Sequence, residues 1–117
     1  MKKFKIISLL TIAAIISGFL INLNAEGITE EPIKIFKNQK CNSCHSIKIL
    51  DIEKKNKKSK APDLSSVGSK HGPDFFVEWL QKKRTQHGKK HPIKFSGSND
   101  ELFSLIGFLV SLREGEK

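Results

Sequence analysis

Cys41-Asn42-Ser43-Cys44-His45 concentrates more chemistry than any other stretch of the chain. Thiols three residues apart fall on one side of a helical turn, and a histidine follows at once. This is the C-x-x-C-H haem-attachment pattern. Each thiol adds to one of the two vinyl groups on a porphyrin edge, and His45 then meets the iron from one face. Other uses of a short cysteine pair fit less well. Structural zinc needs four ligands of matching geometry, and the 117 residues hold only 2 cysteines. A redox dithiol of the thioredoxin type belongs beside a βαβ pattern, which the sequence lacks. The expected cofactor is one covalent haem c, with Cys41 and Cys44 as thioether donors and His45 as proximal iron ligand.

The first residues set the compartment. Lys2, Lys3 and Lys5 precede an uncharged apolar run from Ile6 to Ile21, and Leu23-Asn24-Ala25 leads to Glu26. A basic start, an apolar run and a small residue before polar sequence read as a secretory signal peptide over residues 1–25. The alternative is an uncleaved anchor facing the periplasm, although a spanning helix needs about 20 apolar residues. No cysteine lies near residue 25 to take a lipid. The expected domain is residues 26–117, periplasmic or exported. It carries 18 Lys and Arg against 12 Asp and Glu, a net charge of +6. A basic exported protein meets an acidic redox protein or a respiratory complex rather than nucleic acid.

The elements that must hold the motif are helical. Thr29 can cap a helix over Thr29–Lys40, with Glu30 and Glu31 in its first turn and Pro32 tolerated there. Ile33, Phe36 and Lys40 share a face, which brings Cys41 to the core side. Residues 47–60 read as a solvated loop crowded with Lys54, Lys55, Lys57, Lys58 and Lys60; a docking patch is the alternative. Pro62 and Gly68 mark turns. Pro73 opens a second helix expected to end near Arg84, with Phe75, Phe76, Trp79 and Leu80 as its apolar stripe. Thr85–Gly97 is loop. Ser98 and Glu101 form a capping box before Leu102, Leu105, Ile106, Leu109 and Leu112. No alternation long enough for a half-buried sheet occurs. The expected class is all-α, with about three principal helices and long loops. Loops of such length need something inside to order them, and a haem would do so.

Taken in order, these segments resemble the small monohaem cytochromes c over roughly Ile33 to Leu112. They run from a helix through Cys41 to His45, then Ala61-Pro62-Asp63-Leu64, a middle helix with Trp79, a ligand loop and a closing helix ending Val110-Ser111-Leu112. The resemblance implies a cytochrome c-like fold around one haem. It also implies that the Pro62 carbonyl accepts a hydrogen bond from His45, fixing the proximal imidazole and raising its basicity. The family's distal ligand is usually a methionine followed by proline. Here the only methionine is Met1, and His91-Pro92 stands at the matching place. His91 is thus the expected distal ligand; the alternatives are His87, His71 or an open site. Trp79 and Phe95 are expected to pack against the ring. Two imidazoles in place of a thioether lower the potential.

With both axial positions filled and no recognisable catalytic acid, base or substrate pocket, the expected function is electron transfer rather than catalysis. A haem-based sensor of gases needs a vacant sixth position. A cytochrome subunit of an exported oxidoreductase needs a partner chain.

Overall fold

Residues 30–115 are described by a computed structural model. The expected signal peptide and the Thr29 cap lie outside these residues. The described residues form four α-helices: α1 (Glu30–Asn38), α2 (Val67–Lys70), α3 (Pro73–Leu80) and α4 (Asn99–Ser111). Two 3₁₀ turns join them, Cys41–Ser43 and Lys48–Leu50. Among the described residues there is no strand, only the isolated bridges Ile47–Ile52 and Gln86–Lys89. The class is all-α. No described helix is long and apolar enough to cross a membrane.

The organising element is α4, which packs against α1, α2 and α3. Its start is fixed locally: Ser98 Oγ accepts from the Glu101 amide, and Glu101 Oε2 accepts from the Ser98 amide at 2.8 Å. Its apolar stripe is broader than expected, because Phe108 joins Leu102, Leu105, Ile106 and Leu109 in the core. A helix touching three neighbours must be apolar over more of its circumference than one lying on a single partner. Phe36 from α1 and Phe76 and Leu80 from α3 complete the centre, with Ile47 and Ile52 from the loop between them.

Three boundaries differ from expectation. Helix α1 stops at Asn38, because Lys40 turns into the left-handed region at φ 59°. Its buried face is Pro32, Ile35 and Phe36, with Ile33 only half-buried and Lys40 exposed. Helix α3 ends at Leu80, four residues before Arg84. Lys82 is left-handed at φ 60°, and the Leu80 carbonyl accepts from the Phe95 amide at 2.9 Å. A helix cannot continue once its chain reverses and its last carbonyl is taken by a distant strand of backbone. The turn expected at Gly68 is the short helix α2. Its amide donates to the Leu112 carbonyl at 2.8 Å, and a Cβ at Gly68 would stand 2.1 Å from the Val110 carbonyl oxygen. Only glycine lets α2 approach α4 this closely.

Candidate cofactor site

The cysteine turn begins where α1 ends. From left-handed Lys40 the chain enters the 3₁₀ turn, and the Cys41 carbonyl accepts from both the Cys44 and His45 amides, at 3.2 and 3.0 Å. One carbonyl therefore gathers both cysteines and the histidine into a single turn. Cys41 packs against the core and Cys44 is half-buried; both are free thiols. Burial, reinforced by the neighbouring Cys44 and only partly offset by a backbone hydrogen bond, pushes the Cys41 thiol up to about 11. Dithiol catalysis needs a depressed thiol, and burial moves Cys41 the opposite way. Asn42 between them is buried, and its Oδ1 meets no donor among the described residues.

His45 is oriented from the next segment of chain. Its Nδ1 lies 2.8 Å from the Pro62 carbonyl oxygen. A carbonyl only accepts, so Nδ1 carries the proton and Nε2 keeps its lone pair. Burial lowers the affinity of His45 for a second proton; the Pro62 carbonyl opposes this and the facing His91 adds to it. The ring therefore stays neutral, the form that binds a metal.

Asp63 holds that arrangement and was not singled out in the sequence. Its carboxylate accepts from Ser46 Oγ at 2.6 Å, from the Lys48 amide at 3.0 Å and from the Ser65 amide at 3.0 Å. The Leu64 amide donates to the Ser46 carbonyl alongside. These bonds tie the residue after His45 to the residue after Pro62. The local signal was the Asp-x-Ser step at Asp63-Leu64-Ser65, which forms an Asx turn. Burial alone would raise the Asp63 carboxyl, but the hydrogen bonds from Ser46, Ser65 and Lys48 together hold it down at about 2.

His91 reaches the site from the loop after α3. Gln86 and Lys89 bridge around His87 and Gly88, both left-handed at φ 52° and 74°, the backbone of a type I′ turn. Lys82 Nζ donates to the Pro92 carbonyl, and the Ser96 amide and hydroxyl both donate to Gln39 Oε1. His91 Nδ1 donates in turn to the Ile93 carbonyl at 2.5 Å, leaving its Nε2 free. The His45 and His91 rings stand with centroids 6.3 Å apart and planes within 9°. His87 is exposed at the turn tip, and His71 instead stacks on Phe75 at 3.7 Å. Of the three other histidines, His91 is the one whose ring stands beside that of His45.

This spacing can be tested against a bound metal. One ion between two imidazoles sets their centroids about 6.3 Å apart, since each metal–nitrogen bond is about 2.0–2.1 Å and each centroid lies about 1.1 Å behind its nitrogen. The observed separation matches, and both rings have the protonation that leaves Nε2 as ligand atom. No group of three or more His, Cys, Asp and Glu among the described residues could hold a metal ion alone. His45 and His91 would supply two ligands to a metal whose remaining ligands come from a macrocycle. The residues present would suit a haem, with Cys41 and Cys44 to attach it and His45 and His91 to hold its iron.

Trp79 approaches His91 edge-on at 5.6 Å, with Phe75 stacked behind it at 5.8 Å. Phe95 is half-buried against the core. An open depression of about 460 Å³ beside Asp63, lined by Ile49, Ser65, Ser66, Arg113 and Glu114, contains no histidine or cysteine and is not part of this site. The lysine loop lies against the cysteine turn, since the Lys55 and Asn56 amides donate to the Asn42 and Ser43 carbonyls. Lys54 folds inward onto the Ser59 carbonyl, whereas Lys55, Lys57, Lys58 and Lys60 are exposed. Comparison with known proteins finds no matching family model, no matching curated protein and no matching solved structure.

Proposed function

We propose that this chain is an exported one-electron carrier with one haem c, a small cytochrome c-like protein in which His45 and His91 would hold the iron. The observation that carries the reading is the opposed pair of imidazoles, 6.3 Å apart and 9° from parallel, beside a C-x-x-C-H turn. Cys41 and Cys44 would hold the porphyrin edge through thioethers. When bound, the haem supplies a couple between ferric and ferrous iron. The chain's own residues do the rest. Pro62, held by the Asp63 hydrogen bonds, keeps the proton on Nδ1 of His45, and the Ile93 carbonyl does the same for His91. With both His45 and His91 holding the iron, small molecules would be kept from it, which favours electron transfer over gas sensing or catalysis.

The basic start and apolar run before Glu26 support export to the periplasm. Exposed lysines flank both ligand segments, Lys55, Lys57, Lys58 and Lys60 by the cysteine turn and Lys89, Lys90 and Lys94 in the His91 loop. Of the Lys and Arg side chains among the described residues, only Lys57 and Arg84 are in ion pairs, with Glu53 and Glu78. The remaining charge suits steering toward an acidic redox protein or respiratory complex, an attraction that weakens with salt.

The test is production in an export-competent host that carries a haem-attachment system. Haem absorbance is expected to stay with the chain through acid denaturation and a denaturing gel, and to be lost from the double variant Cys41→Ala/Cys44→Ala. Haem that extracts into acidic organic solvent from the wild-type chain would sink the covalent assignment.

A further inference from the structure

His71, Phe75 and Trp79 succeed one another at steps of four residues, from the residue pair before α3 to its last turn. Phe75 and Trp79, four apart on α3, lie on one helical face, and His71, on the extended chain before the helix, adds its ring to form a continuous pile. His71 stacks on Phe75 at 3.7 Å and 10°, and Phe75 on Trp79 at 5.8 Å and 19°. The pile is anchored twice. Buried Phe76 meets the edges of both Phe75 and His71, and the Arg84 guanidinium sits 5.3 Å from the Phe75 ring centre. Its inner end is Trp79, whose ring stands at 66° to His91 with centroids 5.6 Å apart.

What fixes the plane of His91 is not obvious from its own loop. Its Nδ1 partner, the Ile93 carbonyl, is only two residues away and turns with the loop. Trp79 comes from a different element and is bolted to the core through Phe75 and Phe76. We infer that Trp79 is a positioning residue for His91, the wall that sets the plane of the distal imidazole parallel to that of His45. The inference rests on the bis-histidine reading above, since it concerns the orientation of one of the two proposed ligands. On the other face, the Pro62 carbonyl fixes the plane of His45. The 9° angle between the rings thus has one determinant beside each imidazole.

The angle has a spectroscopic signature. Parallel axial imidazoles split the two iron d orbitals that overlap with them, and a ferric low-spin haem then gives a rhombic electron paramagnetic resonance signal of three resolved g values. Perpendicular imidazoles leave those orbitals nearly degenerate, and a single strongly anisotropic feature at larger g results. The holoprotein is expected to give the rhombic signal. Trp79→Leu is expected to stay low-spin while its signal broadens or moves toward the anisotropic form, and Trp79→Phe is expected to keep the rhombic signal. Carbon monoxide must displace His91 from the reduced protein. Its binding is expected to quicken about three- to tenfold in Trp79→Leu, the factor for losing one edge-on aromatic contact.

Should Trp79→Leu fail to fold, Phe75→Leu takes its place. It removes the ring behind Trp79 without touching His91, and an intermediate shift of the signal is expected. A rhombic wild-type signal unchanged in Trp79→Leu, or in Phe75→Leu where that is the variant measured, overturns the role of Trp79 and leaves the ligation intact. A high-spin wild-type signal overturns the ligation itself.

Discussion

Gly68→Ala and Gly107→Ala are the same substitution in two helices, and opposite results are expected. At Gly68 an added Cβ would lie 2.1 Å from the Val110 carbonyl oxygen, 2.6 Å from its carbon and 2.8 Å from the Leu109 oxygen. All three are backbone atoms, so no side-chain rotation relieves the clash. Carbon and oxygen settle at about 3.3 Å or more, so α2 must move away from α4 by about 1 Å. Overpacking of this kind costs about 1–3 kcal/mol. The shift also stretches the Gly68 amide bond to Leu112, now 2.8 Å, at about 1 kcal/mol. Against this stands the gain of replacing glycine by alanine in a helix, about 0.5–1 kcal/mol. The clash wins, with a net loss of about 1–3 kcal/mol. For a domain of this size each kcal/mol moves the melting temperature by about 4–8 °C. At Gly107, exposed on α4, an added Cβ meets nothing within 4 Å. Only the propensity gain remains, and stability is expected to rise by about 0.5–1 kcal/mol. The assay is thermal melting followed by circular dichroism at 222 nm on the holoproteins. A Gly68→Ala protein as stable as wild type would refute the close approach of α2 to α4; a Gly107→Ala protein that falls as far would show that the effect is not local.

The other outcomes follow from the site. Asp63→Asn loses the charged acceptor of three hydrogen bonds and is expected to cost about 1–2 kcal/mol by urea titration, the lower figure allowing for solvent screening. The folded Asp63 carboxyl lies at about 2, below its ordinary 3.8. Its stabilising contribution is therefore complete above that ordinary value and is lost as pH falls toward 2. Denaturation measured across this window should be shallower in the variant, and an identical pH profile would remove Asp63 from the account. Ser98→Ala breaks the capping box of α4 and is expected to cost about 1 kcal/mol in the same titration. His91→Ala is expected to turn a six-coordinate reduced spectrum that resists carbon monoxide into one that binds it at once. If absorption and carbon monoxide binding are the same in both proteins, His91 is not the ligand.

What could be read in the sequence was what is local. The C-x-x-C-H turn and the Ser98–Glu101 capping box each span five residues or fewer, and their geometry is set by neighbours along the chain. The ends of α1 and α3 fall short of the helices the sequence predicts because Lys40 and Lys82 adopt the left-handed region, and no side chain there announces it. Helix α3 is also stopped by the Phe95 amide, fifteen residues away. Four-residue α2 has too little periodicity to register; it exists because Gly68 can touch α4. Asp63 escaped for the same reason, since Ser46 and Lys48 lie 17 and 15 residues from it. His91 stands out in the sequence only through the resemblance of His91-Pro92 to the methionine-proline pair of small cytochromes c, whereas its ring plane and its Trp79 contact belong to tertiary structure.

The central claim is an iron held between His45 and His91, and near-infrared magnetic circular dichroism of the oxidised holoprotein tests it most directly. The charge-transfer band of bis-imidazole low-spin haem is expected. The lower-energy band of histidine–methionine ligation, or a high-spin spectrum, would contradict it.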